Sequence, residues 1–184
     1  MILTGTAIRA SVEGGQITIA PFDADLLNPN SYNYRLGRTL KQVISDPADP
    51  TCPAETATIE VPDEGYVLRP GVVYLGATVE TLGSTEFVTS LIGRSSLGRL
   101  GMFLQISADL GQLGPAHRWT LEIKVVEPLR VYPEMRIGQV SFWAPVGDRQ
   151  PYTGHYAHIS EPAPCSPAVA AGLGAACVRP GVAA

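Results

Sequence analysis

The run Val72-Val73-Tyr74-Leu75-Gly76-Ala77-Thr78-Val79-Glu80-Thr81-Leu82, followed after the turn at Gly83 by Phe87-Val88-Thr89-Ser90-Leu91-Ile92, decides the fold class. Its β-branched and aromatic side chains suit the pleated, half-buried surface of a sheet. Working outward, Tyr66–Leu68, Met102–Ser107, Trp119–Val126 and Arg136–Trp143 are similar runs separated by Gly or Pro turns, a spacing that predicts a sandwich or barrel. Gln16–Ala20 and Ser31–Leu36 read as two further strands. Thr4–Val12 reads as one short helix, capped by Thr4 and stopped by Gly14-Gly15. Residues 45–57 carry three prolines in a polar stretch, the pattern of an exposed loop. From Pro162 the chain is mostly Ala, Pro and Gly, too poor in large apolar groups to repay its own ordering. The expected organisation is therefore one all-β domain over 1–161 and a flexible tail over 162–184.

Composition agrees with a single core. The chain has 184 residues, 45% of them hydrophobic and 16% charged, which excludes general disorder. Glycine (19) and proline (16) make up about a fifth of the residues without periodicity, which excludes collagen-like repeats and long helical bundles. The net charge is −4 and the 13 basic residues are dispersed, so neither a nucleic-acid footprint nor a polybasic membrane patch is present. No apolar run reaches the ~20 residues that span a bilayer, and the first residues lack a signal-peptide pattern, so a soluble cytoplasmic protein is expected. Cys52, Cys165 and Cys177 form no C-x-x-C pair and read as structural or incidental thiols rather than a disulfide framework.

The segment richest in chemistry is Gly93-Arg94-Ser95-Ser96-Leu97-Gly98-Arg99-Leu100-Gly101. Glycines let backbone approach a phosphate, serines add hydroxyl and amide donors, and guanidinium groups give forked donors to phosphate oxygens. An ordinary polar turn has the same composition, so the block alone leaves both readings open. Downstream, Trp119-Thr120-Leu121-Glu122-Ile123-Lys124-Val125 puts Thr120, Glu122 and Lys124 on one face of a strand. A carboxylate in such a strand is either paired with an arginine in the core or a proton carrier.

Five stretches in order resemble the dCTP deaminase branch of the dUTPase superfamily over roughly residues 1–156. They are Pro29–Gly37, Arg69-Pro70-Gly71 with Leu75-Gly76-Ala77-Thr78, the Arg/Ser/Gly block at 93–101, Thr120-Leu121-Glu122, and Pro133–Gln139. The resemblance implies a distorted β-barrel of the dUTPase-like (β-clip) type with a short N-terminal helix, assembled as a homotrimer with active sites at subunit interfaces. By carry-over, Glu122 is the general acid/base, with Ser95 and Arg99 as catalytic partners; Arg94, Ser96, Gln112, Thr120 and Tyr156 bind substrate.

The activity so implied is zinc-independent hydrolytic deamination of a deoxycytidine nucleotide to the uracil nucleotide and ammonia. His117, His155 and His158 are not spaced with cysteines as a zinc site, so no metal is expected in the chemistry, and Mg²⁺ enters only with the nucleotide phosphates. Three departures from the family pattern stand out. Gln112, in Gly111-Gln112-Leu113-Gly114, replaces an Asp that holds a sugar hydroxyl or a water. In Gly154-His155-Tyr156-Ala157-His158, only Gly154 and Tyr156 match the family's phosphate-closing lid. Asn33 stands where Asp is common and reads as structural. Because a neutral amide cannot activate water, the expected product keeps all its phosphates. A pyrophosphohydrolase or bifunctional enzyme, and a diverged member acting on a monophosphate or modified cytosine nucleotide, are the alternatives.

Overall fold

The structure is a computed structural model that describes residues 1–105 and 107–166. Among the described residues the longest helix is α1 (Gly5–Glu13), whose N-cap Thr4 accepts a hydrogen bond from the amide of Ala7. Helix α1 buries Ile8 and ends at Gly14, as the capping residues predict. Strands follow in chain order: β1 (Ile17–Ala20), β2 (Tyr32–Arg35), β3 (Thr39–Val43), β4 (Thr56–Glu60), β5 (Tyr66–Leu68), β6 (Tyr74–Ser84), β7 (Val88–Gly93), β8 (Met102–Leu104), β9 (His117–Val125), β10 (Leu129–Val131) and β11 (Arg136–Trp143). A four-residue helix α2 (Ser95–Gly98) lies between β7 and β8, and His155–His158 form a short 3₁₀ turn.

These strands make three sheets, not the closed barrel expected. One runs β4-β3-β6-β9-β8 with β1 also on β6, one pairs β10 with β5, and one runs β2-β11-β7. Closure fails for a local reason. The strands at the sheet ends are short, β3 meets β6 over only Lys41↔Leu75 and Gln42↔Tyr74, and β2 reaches β6 through a single bridge, Leu36↔Thr78. The core lies between the sheets, with Tyr32, Tyr34, Leu36, Leu40, Leu121, Ile123, Val140 and Phe142 fully buried.

Strand β6 organises the molecule, since it pairs with β1, β3 and β9. Its register against β9 shifts between Ala77 and Thr81, so that three residues of β6, Thr78–Glu80, oppose one of β9, Trp119. A bulge of this kind leaves backbone groups unpaired, and side chains must satisfy them. Thr78 does so: its hydroxyl donates to the carbonyl of Glu80 and accepts from the amide of Trp119, and its carbonyl accepts from Arg118 Nε. Glu80, fully buried, accepts from Arg35 Nε at 2.6 Å and from the Arg35 amide at 2.9 Å. The hydrogen bond to Glu80 raises the Arg35 guanidinium above its ordinary value. The core carboxylate–arginine pair considered for Glu122 thus exists, but at Glu80.

Asn33 is structural, as expected: its buried amide donates to the carbonyl of Leu26 and to Asn28 Oδ1. Residues 44–55 form the loop between β3 and β4; it ends two residues earlier than expected, because Thr56 and Ala57 pair with Val43 and Gln42 as the start of β4. Cys52 within it is disulfide-bonded, which corrects its reading as an incidental thiol, whereas Cys165 is a free, exposed thiol. The first residues of the expected tail, 162–166, pack against the domain, with Pro162 buried; 167–184 lie outside the described residues. Among the described residues no helix is long and apolar enough to cross a membrane.

Candidate active site

A cavity of about 710 Å³ opens along β9. Alternation along β9 buries Leu121, Ile123 and Val125 and turns Thr120, Glu122 and Lys124 to the other face. The bulge in β6 upsets this alternation near the start of β9, so His117 and Trp119 reach the same cavity as Thr120 and Glu122. His117 and Trp119 stack with ring centroids 4.6 Å apart, and Trp119 Nε1 donates to the carbonyl of Leu82, which fixes the ring as a wall. Val43, Val73 and Leu75 from the neighbouring strands line another side.

Polar groups enter from two loops. The segment after β8 supplies Gln105 and Gln112, and among the described residues Glu122 is the only acidic one on the lining. The turn carrying Gln112 is anchored by the Gly111 amide, which donates to the carbonyl of Thr89, and by the Gly114 amide on the carbonyl of Ser84. Space admits only glycine at 111, because a Cβ there meets Thr89 Oγ1 and comes within 2.6 Å of the Trp119 ring. From the other end of the chain come Tyr152, Tyr156, Ile159 and Ala163–Cys165. This segment is tied to the outer face of β9: the Ala163 amide donates to Thr120 Oγ1 at 3.2 Å, and Arg118 Nη1 lies 3.5 Å from Glu161 Oε1. The Tyr156 hydroxyl accepts from the Ser166 amide.

The structure divides the residues singled out from the sequence into two groups. Glu122, Gln112, Thr120 and Tyr156 line one cavity. Arg94, Ser95, Ser96 and Arg99 do not line it: they sit on α2 and its caps, with Ser95, Ser96 and Arg99 exposed and Arg94 Nη1 donating to the carbonyl of Arg136. Helix α2 precedes the Met102 end of β8, while Glu122 stands beside Gln105 just past the other end, roughly 10 Å along the strand at 3.3 Å per residue. Among the described residues no lysine or arginine lines the cavity. Sequence reasoning missed Gln105, His117, Trp119 and Tyr152. Trp119 had a signal in the apolar run that holds Glu122, but Gln105 had none, since its role depends on a turn of the backbone.

The profile of the dCTP deaminase-like family matches residues 2–144. The chain belongs to that family of enzymes. A Leptospira biflexa protein named dCTP deaminase, dUMP-forming, is 45% identical to this dCTP deaminase-like chain over 157 residues, covering 85% of the chain and 90% of the relative. A Clostridium beijerinckii protein of the same name is 42% identical over 142 residues, covering 77% and 82%. The crystal structure of a 2′-deoxycytidine 5′-triphosphate deaminase from Agrobacterium tumefaciens superposes with a TM-score of 0.64 at 26% identity. That match covers 78% of this chain and 48% of the other, so the chain spans about half the length of that protein. The names of the Leptospira and Clostridium proteins give dUMP as product, which runs against the expectation from Gln112 of a product that keeps its phosphates.

Proposed function

We propose that this protein hydrolyses dCTP to dUMP, ammonia and pyrophosphate, with Glu122 as the proton carrier of the deamination. The observation that carries the reading is Glu122 as the sole carboxylate in a cavity of nucleotide size beside an aromatic wall. In the deamination, a water oxygen bonds to C4 of cytosine while Glu122 takes its proton. The proton passes to N3 and a further one to the exocyclic amine, the C4–N bond breaks, and ammonia leaves a uracil ring. A second water then bonds to the α-phosphorus and pyrophosphate departs. Two waters are consumed for each dCTP.

The phosphates need cations, and none lines the cavity among the described residues. We infer that Arg94, Ser95, Ser96 and Arg99 meet the cavity of a neighbouring copy in a homotrimer, whose sites form at subunit interfaces. Ile92, Leu100, Phe103 and Val126, around the Arg/Ser turn, are 46–58% exposed in the single chain, an apolar surface suited to such an interface. Zinc plays no part in the reading, because the chemistry is assigned to a carboxylate. One lining carboxylate makes no cage for Mg²⁺, so that ion would enter with the phosphates it neutralises.

The test is ammonia and pyrophosphate measured together from dCTP, with light scattering for the assembly. Equal release of both from a trimer is expected; ammonia without pyrophosphate would overturn the dUMP product. Glu122→Gln keeps shape and loses the proton acceptor, so ammonia release should fall on the order of 10²–10⁴-fold while dCTP binding stays within about tenfold. Turnover near that of the native protein in this variant refutes the assignment.

A further inference from the structure

Strand β8 stops one residue short of the site, and the manner of its ending concerns Glu122. The antiparallel register pairs Met102 with Val125, Phe103 with Lys124 and Leu104 with Ile123, so the next pair is Gln105 with Glu122. A regular ladder closes such a pair with two reciprocal backbone bonds. Only one of them is made, from the Gln105 amide to the carbonyl of Glu122 at 3.2 Å. Gln105 has φ of 49°, which turns its own carbonyl out of the ladder. The amide of Glu122 instead donates to the Gln105 side-chain Oε1 at 2.7 Å. Both backbone polar groups of Glu122 on this edge are therefore held by one residue.

The other end of the same carboxamide is also engaged. Gln105 Nε2 donates to the carbonyl of Ala108 at 3.4 Å, in the loop that goes on to present Gln112. Gln105 itself is 9% exposed and lines the cavity. A side chain in the left-handed region is uncommon and persists where surrounding contacts over-determine it. Here the contacts are those of a carboxamide spanning β9 and the Gln112 loop.

We propose that Gln105 is the positioning residue for Glu122: its carboxamide substitutes for the missing strand carbonyl and sets where the Glu122 carboxylate stands relative to the substrate. The inference rests on the reading of Glu122 as proton carrier. It touches no step of the chemistry directly, so its removal degrades turnover more than binding.

Gln105→Gly and Gln105→Glu test it in the full chain with dCTP. Glycine accepts the left-handed backbone without strain and removes the side chain that carries the carboxamide; kcat should fall about tenfold to a hundredfold with KM within about threefold. Glutamate still accepts from the Glu122 amide but cannot donate to Ala108, and it sets a second negative charge beside Glu122. Like charges raise a carboxyl pKa, and a base is lost below its pKa, so the acid limb of kcat/KM should move to higher pH. A native kcat in Gln105→Gly, or an unmoved acid limb in Gln105→Glu, overturns the proposal; if the glycine variant does not fold, the glutamate variant decides alone. Glu122→Gln run alongside separates the two failures. Should it remain active, the role of Glu122 falls and this inference with it; should it be inactive while both Gln105 variants behave as native, only this inference falls.

Discussion

Replacing Glu80 by Gln tests what ties the bulged strand β6 to β2. The native carboxylate is fully buried, and its two oxygens take the Arg35 Nε and the Arg35 amide. A glutamine has one acceptor oxygen for those two donors, and it leaves the guanidinium only the more exposed Glu134 carboxylate, 4.0 Å away, as a counter-charge. Removing one partner of a buried pair costs about 3–5 kcal/mol. The Arg35 side chain is 22% exposed, so water partly rehydrates the orphaned cation and the low end, about 3 kcal/mol, applies. For a chain of this size about 3 kcal/mol lowers Tm by roughly 6–12 °C. The assay is calorimetric or spectroscopic melting of the native protein, Glu80→Gln, Arg35→Met and the double variant at one protein concentration. The double variant should recover part of the loss, since it removes the uncompensated charge. A loss below about 1 kcal/mol in Glu80→Gln would refute the reasoning, because Arg35 would then be solvated well enough to need no partner.

Gly111→Ala should cost about 1–3 kcal/mol by overpacking against Thr89 and the Trp119 ring, and should lower turnover as the Gln112 turn is pushed outward; chemical denaturation and steady-state rates measure the two effects. Zinc chelation by a reagent that spares Mg²⁺ is expected to leave the rate of ammonia release unchanged, since the reading gives the proton transfers to a carboxylate; stoichiometric zinc in the purified protein whose removal stops release would contradict it.

Much of the fold was open to reading along the chain because its signals are local. Strand runs separated by Gly or Pro turns, the Thr4 cap and the Gly14 stop each depend on a few neighbouring residues, and helix α1 and most strands form where those signals lie; β3, β4 and β10 were not read from the chain, and β8 ends at Leu104 rather than Ser107. Alternation likewise sends Glu122 away from the core without reference to any other strand. What the chain could not disclose depends on partners distant in sequence. Glu80, not Glu122, takes the buried arginine, because Arg35 reaches β6 only after the sheets have packed. The barrel opens into three sheets because the pairing lengths of short strands are set by their neighbours. Gln105 joins the site through a positive φ that nothing in its local sequence requires. The amino-acid sequence determined most of the strands, the family motifs and the proton-carrying candidate; tertiary structure alone decided that Glu122 faces an aromatic wall while the Arg/Ser turn lies outside its cavity, since that division follows from the register of β8, β9 and the bulged β6.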